Sequence, residues 1–288
     1  MPYIGAHMPI SGGMEKALFE GKRLGCEVVQ IFTHNTSSWY MKPISSEQLE
    51  LFEKAKKETK VIPVSVHVGY LINLASFEDR IWKNSVNALK KEVQRAELLG
   101  IPYVVMHPGA HKGAGEKEGI KRISKGLKEV ISETSQKTKI LLETTAGQGT
   151  SIGYRFEHLS EIMEQVNSPN RLGICLDTCH IFSAGYDFRT KEQYEALIAE
   201  LERIIGIDYV FLIHINDSKK ECGSRVDRHM HIGRGKIGEK GLAYFLKDDR
   251  FKELPFIIET PKEKDENGID YDIINLQRLK QIIRGERP

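Results

Sequence analysis

The chain has 288 residues, with 42 Lys plus Arg against 40 Asp plus Glu, and a net charge of +2 at pH 7. Its 40% hydrophobic and 28% charged residues are typical of a soluble globular protein and exclude long disordered stretches. The balanced charge gives no global signal for nucleic acid, so such a partner requires a local basic patch.

The four cysteines are too few for a disulfide framework, and they predict a reducing compartment. The N-terminal segment has no basic stretch followed by an apolar one, so no signal peptide is predicted. No apolar run approaches the roughly 18 residues that a membrane span needs. The sequence therefore predicts a cytoplasmic protein with no membrane partner.

Short apolar runs alternate with longer amphipathic ones along the chain. The apolar runs predict eight strands, at residues 3–7, 28–32, 64–68, 103–107, 140–143, 172–177, 210–215 and 256–259. Ser45 followed by Gln48 predicts a capping box that opens a helix after the second strand. Apolar residues at helical spacing predict further helices within residues 79–100, 120–130 and 194–204.

The strands are apolar without alternation, as expected of parallel strands that are buried on both faces. Eight strand–helix units predict an α/β fold, a single (β/α)₈ TIM barrel, which typically takes ~250 residues. A doubly wound open sheet is the alternative. No Pro- or Ser-rich linker interrupts the alternation, so we expect residues 1–288 to form one domain.

Histidines and acidic residues stand at the ends of six consecutive predicted strands. They are His67, His107, Glu143, Asp177, His214 and Glu259. In a barrel these side chains gather at the C-terminal mouth, where active sites of this fold lie. Carboxylates brought together repel each other unless a cation is bound, and imidazole with carboxylate is the ligand set of catalytic zinc, manganese or iron. One such residue is more often an ordinary hydrogen-bonded side chain, but six in register predict a metal site.

Two further clusters extend the set of candidate metal ligands. His180 follows the sixth strand, and Asp227 and His229 lie in the loop after the seventh. Taken alone, that loop is equally well a solvated polar turn. Together with the strand ends, the candidates exceed what a mononuclear site uses, so the sequence predicts two or three ions close together.

Three other features are given ordinary interpretations. Residues 233–238 match the dinucleotide G-x-G-x-x-G pattern but do not directly follow a strand, so a Rossmann site is rejected. Cys175 lies inside an apolar strand and is interpreted as a core residue. His158 lies in a helical stretch and is interpreted as structural.

Short motifs connect these residues in a fixed order. They read YIGAH at 3–7 with GG at 12–13, SVH at 65–67 with YLINL at 70–74, HPG at 107–109, ETTAGQG at 143–149, DTCH at 177–180, HINDSK at 214–219, DRH at 227–229 with IG at 232–233, and ETP at 259–261. In this order and spacing, the chain resembles endonuclease IV, the zinc-dependent apurinic/apyrimidinic endonuclease family, over essentially its full length.

The resemblance implies a (β/α)₈ barrel that holds three zinc ions through nine side chains. The first ion would be held by His67, His107 and Glu143, the second by Glu143, Asp177, His214 and Glu259, and the third by His180, Asp227 and His229. His231 falls outside this pattern and is left out of the ligand set.

The resemblance also implies a reaction. The phosphodiester on the 5′ side of an abasic site in duplex DNA would be hydrolysed, leaving a 3′-hydroxyl and a 5′-deoxyribose phosphate. A hydroxide bridging the first two ions would be the nucleophile, with Glu143 and Glu259 as catalytic residues and Glu259 orienting the attack. Removal of blocked 3′ ends is an expected side activity. The protein is expected to be a monomer with no obligate protein partner.

Contacts with DNA are implied at the rim of the mouth. Tyr70 and Leu71 match part of the wedge that the family inserts where the base is missing, and phosphate contacts are expected from Lys219, Arg225 and Arg228, with Lys220 and Arg234 as further candidates. The family commonly has Gln-Arg where this chain has Thr36-Ser37, so the inserting arginine is absent at that position.

Two alternatives remain at this point. A sugar isomerase or epimerase on a xylose-isomerase-like barrel also gathers acids and histidines around one or two ions, but it has no use for the third set formed by His180, Asp227 and His229. A non-catalytic, metal-stabilised binding protein is disfavoured because a closed structural site does not need nine ligands. The number of bound ions separates these alternatives.

Overall fold

In the computed structural model, which describes residues 2–286, eight parallel strands close into a barrel. The strands are β1 (Tyr3–Met8), β2 (Val28–Ile31), β3 (Ile62–His67), β4 (Tyr103–Met106), β5 (Lys139–Glu143), β6 (Leu172–Asp177), β7 (Val210–His214) and β8 (Pro255–Ile258). Each strand pairs with its neighbour in sequence, and β1 pairs with β8. The predicted (β/α)₈ TIM barrel is confirmed, and the alternative prediction of a doubly wound open sheet is wrong.

Helices surround the barrel. Those in the described part of the chain are α1 (Met14–Leu24), α2 (Ser46–Thr59), α3 (Asp79–Leu98), α4 (Glu116–Ser132), α5 (Phe156–Val166), α6 (Thr178–Ala184), α7 (Lys191–Ile204), α8 (Gly238–Leu246) and α9 (Tyr271–Arg284), with 3₁₀ turns at Ile207–Tyr209 and Asp249–Phe251. The capping box that opens α2 is confirmed, because Ser45 Oγ accepts from the Gln48 amide at 3.2 Å and Gln48 Oε1 accepts from the Ser45 amide at 3.0 Å.

Several strands end earlier than their apolar runs. β4 and β8 stop one residue before His107 and Glu259, and β7 stops before Ile215. At Glu259 the reason is visible, because its backbone amide donates to the side chain of Asn216 at 2.7 Å instead of continuing the ladder. The side chains of His107 and Glu259 therefore leave from loop residues directly above the barrel, which still brings them to the mouth.

The core has an inner and an outer part. The inner part fills the barrel with one apolar residue from each of seven strands: Val28, Val64, Val105, Leu141, Cys175, Leu212 and Ile257. The interpretation of Cys175 as a core residue is thus confirmed. On β1, a Cβ at Gly5 would lie 1.6 Å from the Val28 carbonyl oxygen, so only glycine permits this strand approach. The larger outer part packs the helices against the strands.

Two small two-stranded antiparallel sheets lie at the mouth of the barrel, and the second of them is a hairpin within the loop after β7. One pairs Gly109–Ala110 with Ser151–Ile152, and the other pairs Asp217–Ser218 with His229–Met230. The second hairpin folds the loop after β7 back over the strand ends, which is how His229 reaches them. Within residues 2–286, no helix combines the length and apolar character that crossing a bilayer requires.

Candidate metal centre and nucleic-acid interface

The mouth of the barrel forms an open cleft of about 530 Å³. Residues that line the cleft include His7, Phe32, His67, Tyr70, His107, His180, Asp227, Arg228, His229 and Glu259. Glu143, Asp177 and His214 form its floor and are fully buried. All nine side chains predicted as metal ligands thus meet at one end of the barrel.

The first group of candidate ligands joins β3, β4 and β5. His67 Nε2 lies 3.0 Å from Glu143 Oε2, and His107 Nε2 lies 3.1 Å from the same oxygen. His67 is buried and His107 is half-buried, so this group opens toward the cleft. Ligand atoms of these three residues are close enough to share one metal ion.

The second group joins β5, β6, β7 and β8 at the floor of the cleft. His214 Nδ1 lies 3.0 Å from Glu143 Oε1, 3.1 Å from Glu259 Oε2 and 3.8 Å from Asp177 Oδ2. Glu143 therefore belongs to both groups, with one carboxylate oxygen facing each. This is the arrangement of a carboxylate that can bridge two ions.

The third group combines the start of α6 with the second hairpin. Asp177 Oδ1 accepts from the His180 amide at 2.8 Å, and this cap fixes the first turn of α6. His180 Nε2 then lies 3.2 Å from Asp227 Oδ2, and His229 Nε2 lies 3.5 Å from Asp227 Oδ1. His229 Nε2 is also 3.7 Å from Asp177 Oδ2, so the third group adjoins the second.

Three imidazoles of the cluster have their second nitrogen bonded to a backbone carbonyl. The Nδ1 atoms of His67, His180 and His229 lie 2.9, 2.8 and 3.0 Å from the carbonyl oxygens of Val68, Thr144 and Glu259. Donation from Nδ1 leaves the lone pair of these three histidines on Nε2, where it is free to bind a metal ion.

The donor atoms fit metal ions. The Nε2 atoms of His180 and His229 are buried and face carboxylate oxygens of Asp227 without forming a hydrogen bond, because both sides are acceptors when Nδ1 carries the proton. This arrangement is costly unless a cation binds between them. Two ligands bonded to one tetrahedral zinc lie about 3.3 Å apart, close to the spacings within the three groups. The residues present therefore fit metal binding.

The charges of the cluster are strongly interdependent. Burial raises the pKa of Glu143, but His107 and His214 outweigh it and hold that pKa well below its usual range. Burial likewise opposes ionisation of Glu259, and His214 is the main group that keeps its pKa well below normal. Both carboxylates are thus anionic and available to cations at neutral pH.

Comparisons with known proteins show the family to which the chain belongs. A family model described as a xylose isomerase-like TIM barrel matches residues 19–280. A protein of Chloroflexus aggregans (strain MD-66 / DSM 9485) named "Probable endonuclease 4" is 47% identical over 285 residues, which are 99% of this chain and 99% of that protein. The chain belongs to the endonuclease IV family. A relative of the same name from Geobacter sulfurreducens is 44% identical over 283 residues, covering 98% of this chain and 95% of the relative.

Solved structures point the same way. Endonuclease IV from Thermus thermophilus matches with a TM-score of 0.86 and 34% identity, over 99% of this chain and 100% of that one. A D-tagatose 3-epimerase-like protein matches with a TM-score of 0.71 at 19% identity, over 98% of each chain, which shows a shared fold alone. The family predicted from the motifs is therefore confirmed. Members of the endonuclease IV family are metal-dependent DNA-repair nucleases.

Two neighbouring side chains lie outside the predicted ligand set of this endonuclease IV homologue. Cys179 lies within reach of Asp177 and His229, but burial raises the pKa of its thiol to about 12. His231 points elsewhere, with Nε2 2.7 Å from Glu263 Oε1. His158, interpreted as structural, lies on α5, where its Nδ1 accepts from the Gly153 amide at 3.3 Å.

Sequence reasoning missed two buried side chains that form hydrogen bonds to the candidate metal ligands. Asn216 is fully buried, donates to Asp177 Oδ2 at 2.7 Å and accepts from the Glu259 amide, so it ties β6 to β8. Gln30 is also fully buried and contacts both His214 and Glu259. The available signal for Gln30 was its polarity within the apolar run 28–32.

The side chains predicted to contact DNA lie at the rim of the cleft and differ in their exposure and in their contacts with other residues. Tyr70 is 77% exposed beside the cleft, and Leu71 is half-buried. Arg228 is exposed and lines the cleft, whereas the guanidinium of Arg225 lies 4.5 Å from the centre of the Tyr154 ring. Lys219 is exposed and follows the first strand of the second hairpin, as Lys220 does, and Arg234 lies beyond it.

The loop that lacks the family's arginine is held at both ends by one buried side chain. Arg95 on α3 donates to Thr33 Oγ1 at 2.8 Å, to the Thr33 carbonyl and to the Lys42 carbonyl at 2.7 Å. Between these anchors, Trp39 and Tyr40 are exposed. We call residues 33–42 the aromatic loop. It lies beside Tyr70, because Gly69 packs against the backbone of Thr36.

The hydrogen bonds from Arg95 to Thr33 and Lys42, which we call the Arg95 clamp, predict that Arg95→Met will loosen the aromatic loop. Each lost hydrogen bond to a charged group is worth about 1.5–3 kcal/mol, so amide exchange in residues 33–42 should speed up by about 10–100-fold. Hydrogen–deuterium exchange with mass spectrometry measures this. Arg80→Met, at an exposed position of the same helix, is the matched control and should leave the loop unchanged. Unaltered exchange in Arg95→Met would contradict the clamp.

Proposed function

We propose that this endonuclease IV family member hydrolyses the phosphodiester bond on the 5′ side of an abasic site in duplex DNA. The products are a 3′-hydroxyl and a 5′-deoxyribose phosphate. One observation carries the proposal: three groups of metal-binding side chains, two of them joined by Glu143, meet in an open cleft. The family's metal dependence and its DNA substrate support the assignment.

We further propose that the cofactor is zinc and that three ions bind. His67, His107 and Glu143 would hold one, Glu143, Asp177, His214 and Glu259 the second, and His180, Asp227 and His229 the third. Zinc binds histidine nitrogen and carboxylate oxygen, and it has no redox chemistry that would endanger DNA. When bound, such ions lower the pKa of water and neutralise charge on phosphate oxygens.

The reaction needs water at phosphorus in line with the leaving oxygen. The water oxygen forms the new bond to phosphorus, the bond from phosphorus to the 3′-oxygen breaks, and a proton ends on that oxygen. Glu259 is half-buried with Oε1 held by Gln30, so its carboxylate has a fixed direction from which to orient the water. Glu143, fully buried, keeps the histidines of β3, β4 and β7 at fixed distances.

Recognition of a missing base cannot rely on reading that base. We assign Tyr70 and Leu71 to the space left by the missing base. There the exposed ring of Tyr70 would replace the lost base stacking, and stacking of a base on an aromatic side chain is worth about 1–3 kcal/mol. We assign Lys219, Arg225 and Arg228 to phosphates flanking the site, since contacts of this kind position the duplex without sequence preference.

Some finer expectations remain proposals. They are a single domain over residues 1–288, a monomer without an obligate protein partner, a cytoplasmic location and removal of blocked 3′ ends. The competing isomerase or epimerase function is disfavoured, because a sugar reaction at one or two ions leaves the group of His180, Asp227 and His229 unused.

The activity is tested with a duplex that carries one central tetrahydrofuran abasic analogue. We expect a single nick 5′ to the analogue and none in an undamaged duplex. Glu143→Gln should lower the rate by more than about 100-fold, since even a residue that only supports a ligand typically contributes 10–100-fold. A folded, zinc-loaded protein that leaves the analogue uncut would contradict the proposal.

The metal count is tested by elemental mass spectrometry of protein purified by gel filtration. Wild type should hold three zinc ions per chain, and His229→Ala should hold two, because only the third group loses a ligand. His231→Ala is the matched control, since this buried histidine lies two residues away and bonds to Glu263 and Asn275 instead. It should retain three ions, and loss of zinc from both variants alike would contradict the assignment.

A further inference from the structure

A buried amide side chain lies directly beneath the candidate metal centre. Gln30 stands two residues after Val28 on β2, and Val28 belongs to the apolar filling of the barrel. Side chains two apart on a strand face the same side, so Gln30 enters the barrel one layer nearer the mouth. An unpaired buried amide costs about 1–3 kcal/mol, so its partners decide what it does there.

Gln30 uses its full hydrogen-bonding capacity. Its Oε1 accepts from Ser65 Oγ at 2.9 Å and lies 3.0 Å from His214 Nε2. Its Nε2 donates to Glu259 Oε1 at 2.7 Å and lies 2.9 Å from His7 Nδ1. An amide offers two donors and two acceptor positions, and all four have partners here.

The charge of Glu259 fixes which way the amide points. A carboxylate accepts hydrogen bonds and donates none, so the group 2.7 Å from it must be the NH₂ of Gln30. The opposite orientation would place two oxygens against each other. The amide oxygen therefore faces His214, and because that oxygen only accepts, His214 Nε2 must carry a proton.

A protonated Nε2 leaves the lone pair of neutral His214 on Nδ1. That atom faces the second ligand group, at 3.0 Å from Glu143 Oε1 and 3.1 Å from Glu259 Oε2. His67, His180 and His229 have the opposite arrangement, with Nδ1 bonded to backbone carbonyls. His214 thus depends on a side chain, Gln30, for an orientation that backbone fixes in the other three.

We propose that Gln30 is a positioning residue, which holds His214 in the Nε2–H tautomer and fixes Glu259 so that both present their free donor atoms to the second metal. The inference rests on the proposed function, since the second metal is part of it. It assigns to β2, which supplies none of the proposed ligands, control over two of them across the barrel.

The first readout is the tautomer itself. In protein labelled with ¹⁵N-histidine and loaded with zinc, long-range ¹H–¹⁵N correlation spectra should show His214 protonated at Nε2 and coordinated at Nδ1. Gln30→Leu removes both amide functions at similar volume, and we expect His214 to lose this single tautomer. Gln30→Met removes the same two functions with a flexible apolar side chain of similar length, which provides a second variant if the leucine variant does not fold.

The second readout is metal affinity, measured by competition with a zinc chelator. Gln30→Leu should lower the affinity for one of the three zinc ions by about 10–100-fold. The affinities for the other two ions should stay near wild type. Ser65→Ala is the matched control, because it removes another partner of the same amide oxygen while leaving the contacts to His214 and Glu259. It should keep wild-type affinity for all three ions.

A purely structural role predicts a different pattern. A lower melting temperature in Gln30→Leu, with the His214 tautomer and all zinc affinities unchanged, would overturn the proposal. If wild type binds no zinc, the proposed function fails, yet the hydrogen bond from His214 Nε2 to Gln30 Oε1 can still be followed in metal-free protein by the protection of the Nε2–H proton from solvent exchange. Protection that is present in wild type and lost in Gln30→Leu supports the inference, and equal protection in both refutes it.

Discussion

Burial of the Glu143 carboxylate is the constraint around which the mouth of this barrel is organised. An isolated buried carboxylate carries a desolvation cost of several kcal/mol, so it must be surrounded by groups that stabilise negative charge. His67 and His107 approach one of its oxygens, and His214 approaches the other. With Asp177 and Glu259 close by, the imidazoles alone face an excess of carboxylate charge. Divalent cations complete the balance, which is why the arrangement indicates a metal centre.

The barrel supplies the rigidity that such a centre requires. Side chains at the ends of β3, β5, β6 and β7 leave from hydrogen-bonded strands, and most second nitrogens of the histidines bond to backbone carbonyls. The groups proposed to contact DNA lie instead on loops, such as the second hairpin, and the exposed aromatic loop lies beside Tyr70. In this fold, catalytic residues usually lie at the ends of the strands, and residues that bind the substrate usually lie on the loops that follow them. The Arg95 clamp gives one of these loops a fixed position despite its exposure.

How much of this was predictable depends on the range of the interactions. Strand order and the six strand-end residues follow from local apolar runs and from the geometry of parallel barrels, so the sequence predicted them directly. The sharing of ligands among three ions was implied by resemblance alone, because loop residues such as Asp227 carry no periodicity. Gln30 and Arg95 were missed because their partners lie far away in sequence, 184 residues for His214 and 62 for Thr33. Such side-chain bonds leave no repeating pattern, only an isolated polar residue in an apolar strand or a charge on the buried face of a helix.

We propose that nine side chains hold three zinc ions in one cleft. Anomalous diffraction from crystals of the zinc-loaded protein, collected on both sides of the zinc absorption edge, tests it most directly. We expect three zinc peaks, one at each ligand group, with Glu143 between the first two. One or two peaks, or peaks away from His180, Asp227 and His229, would contradict it.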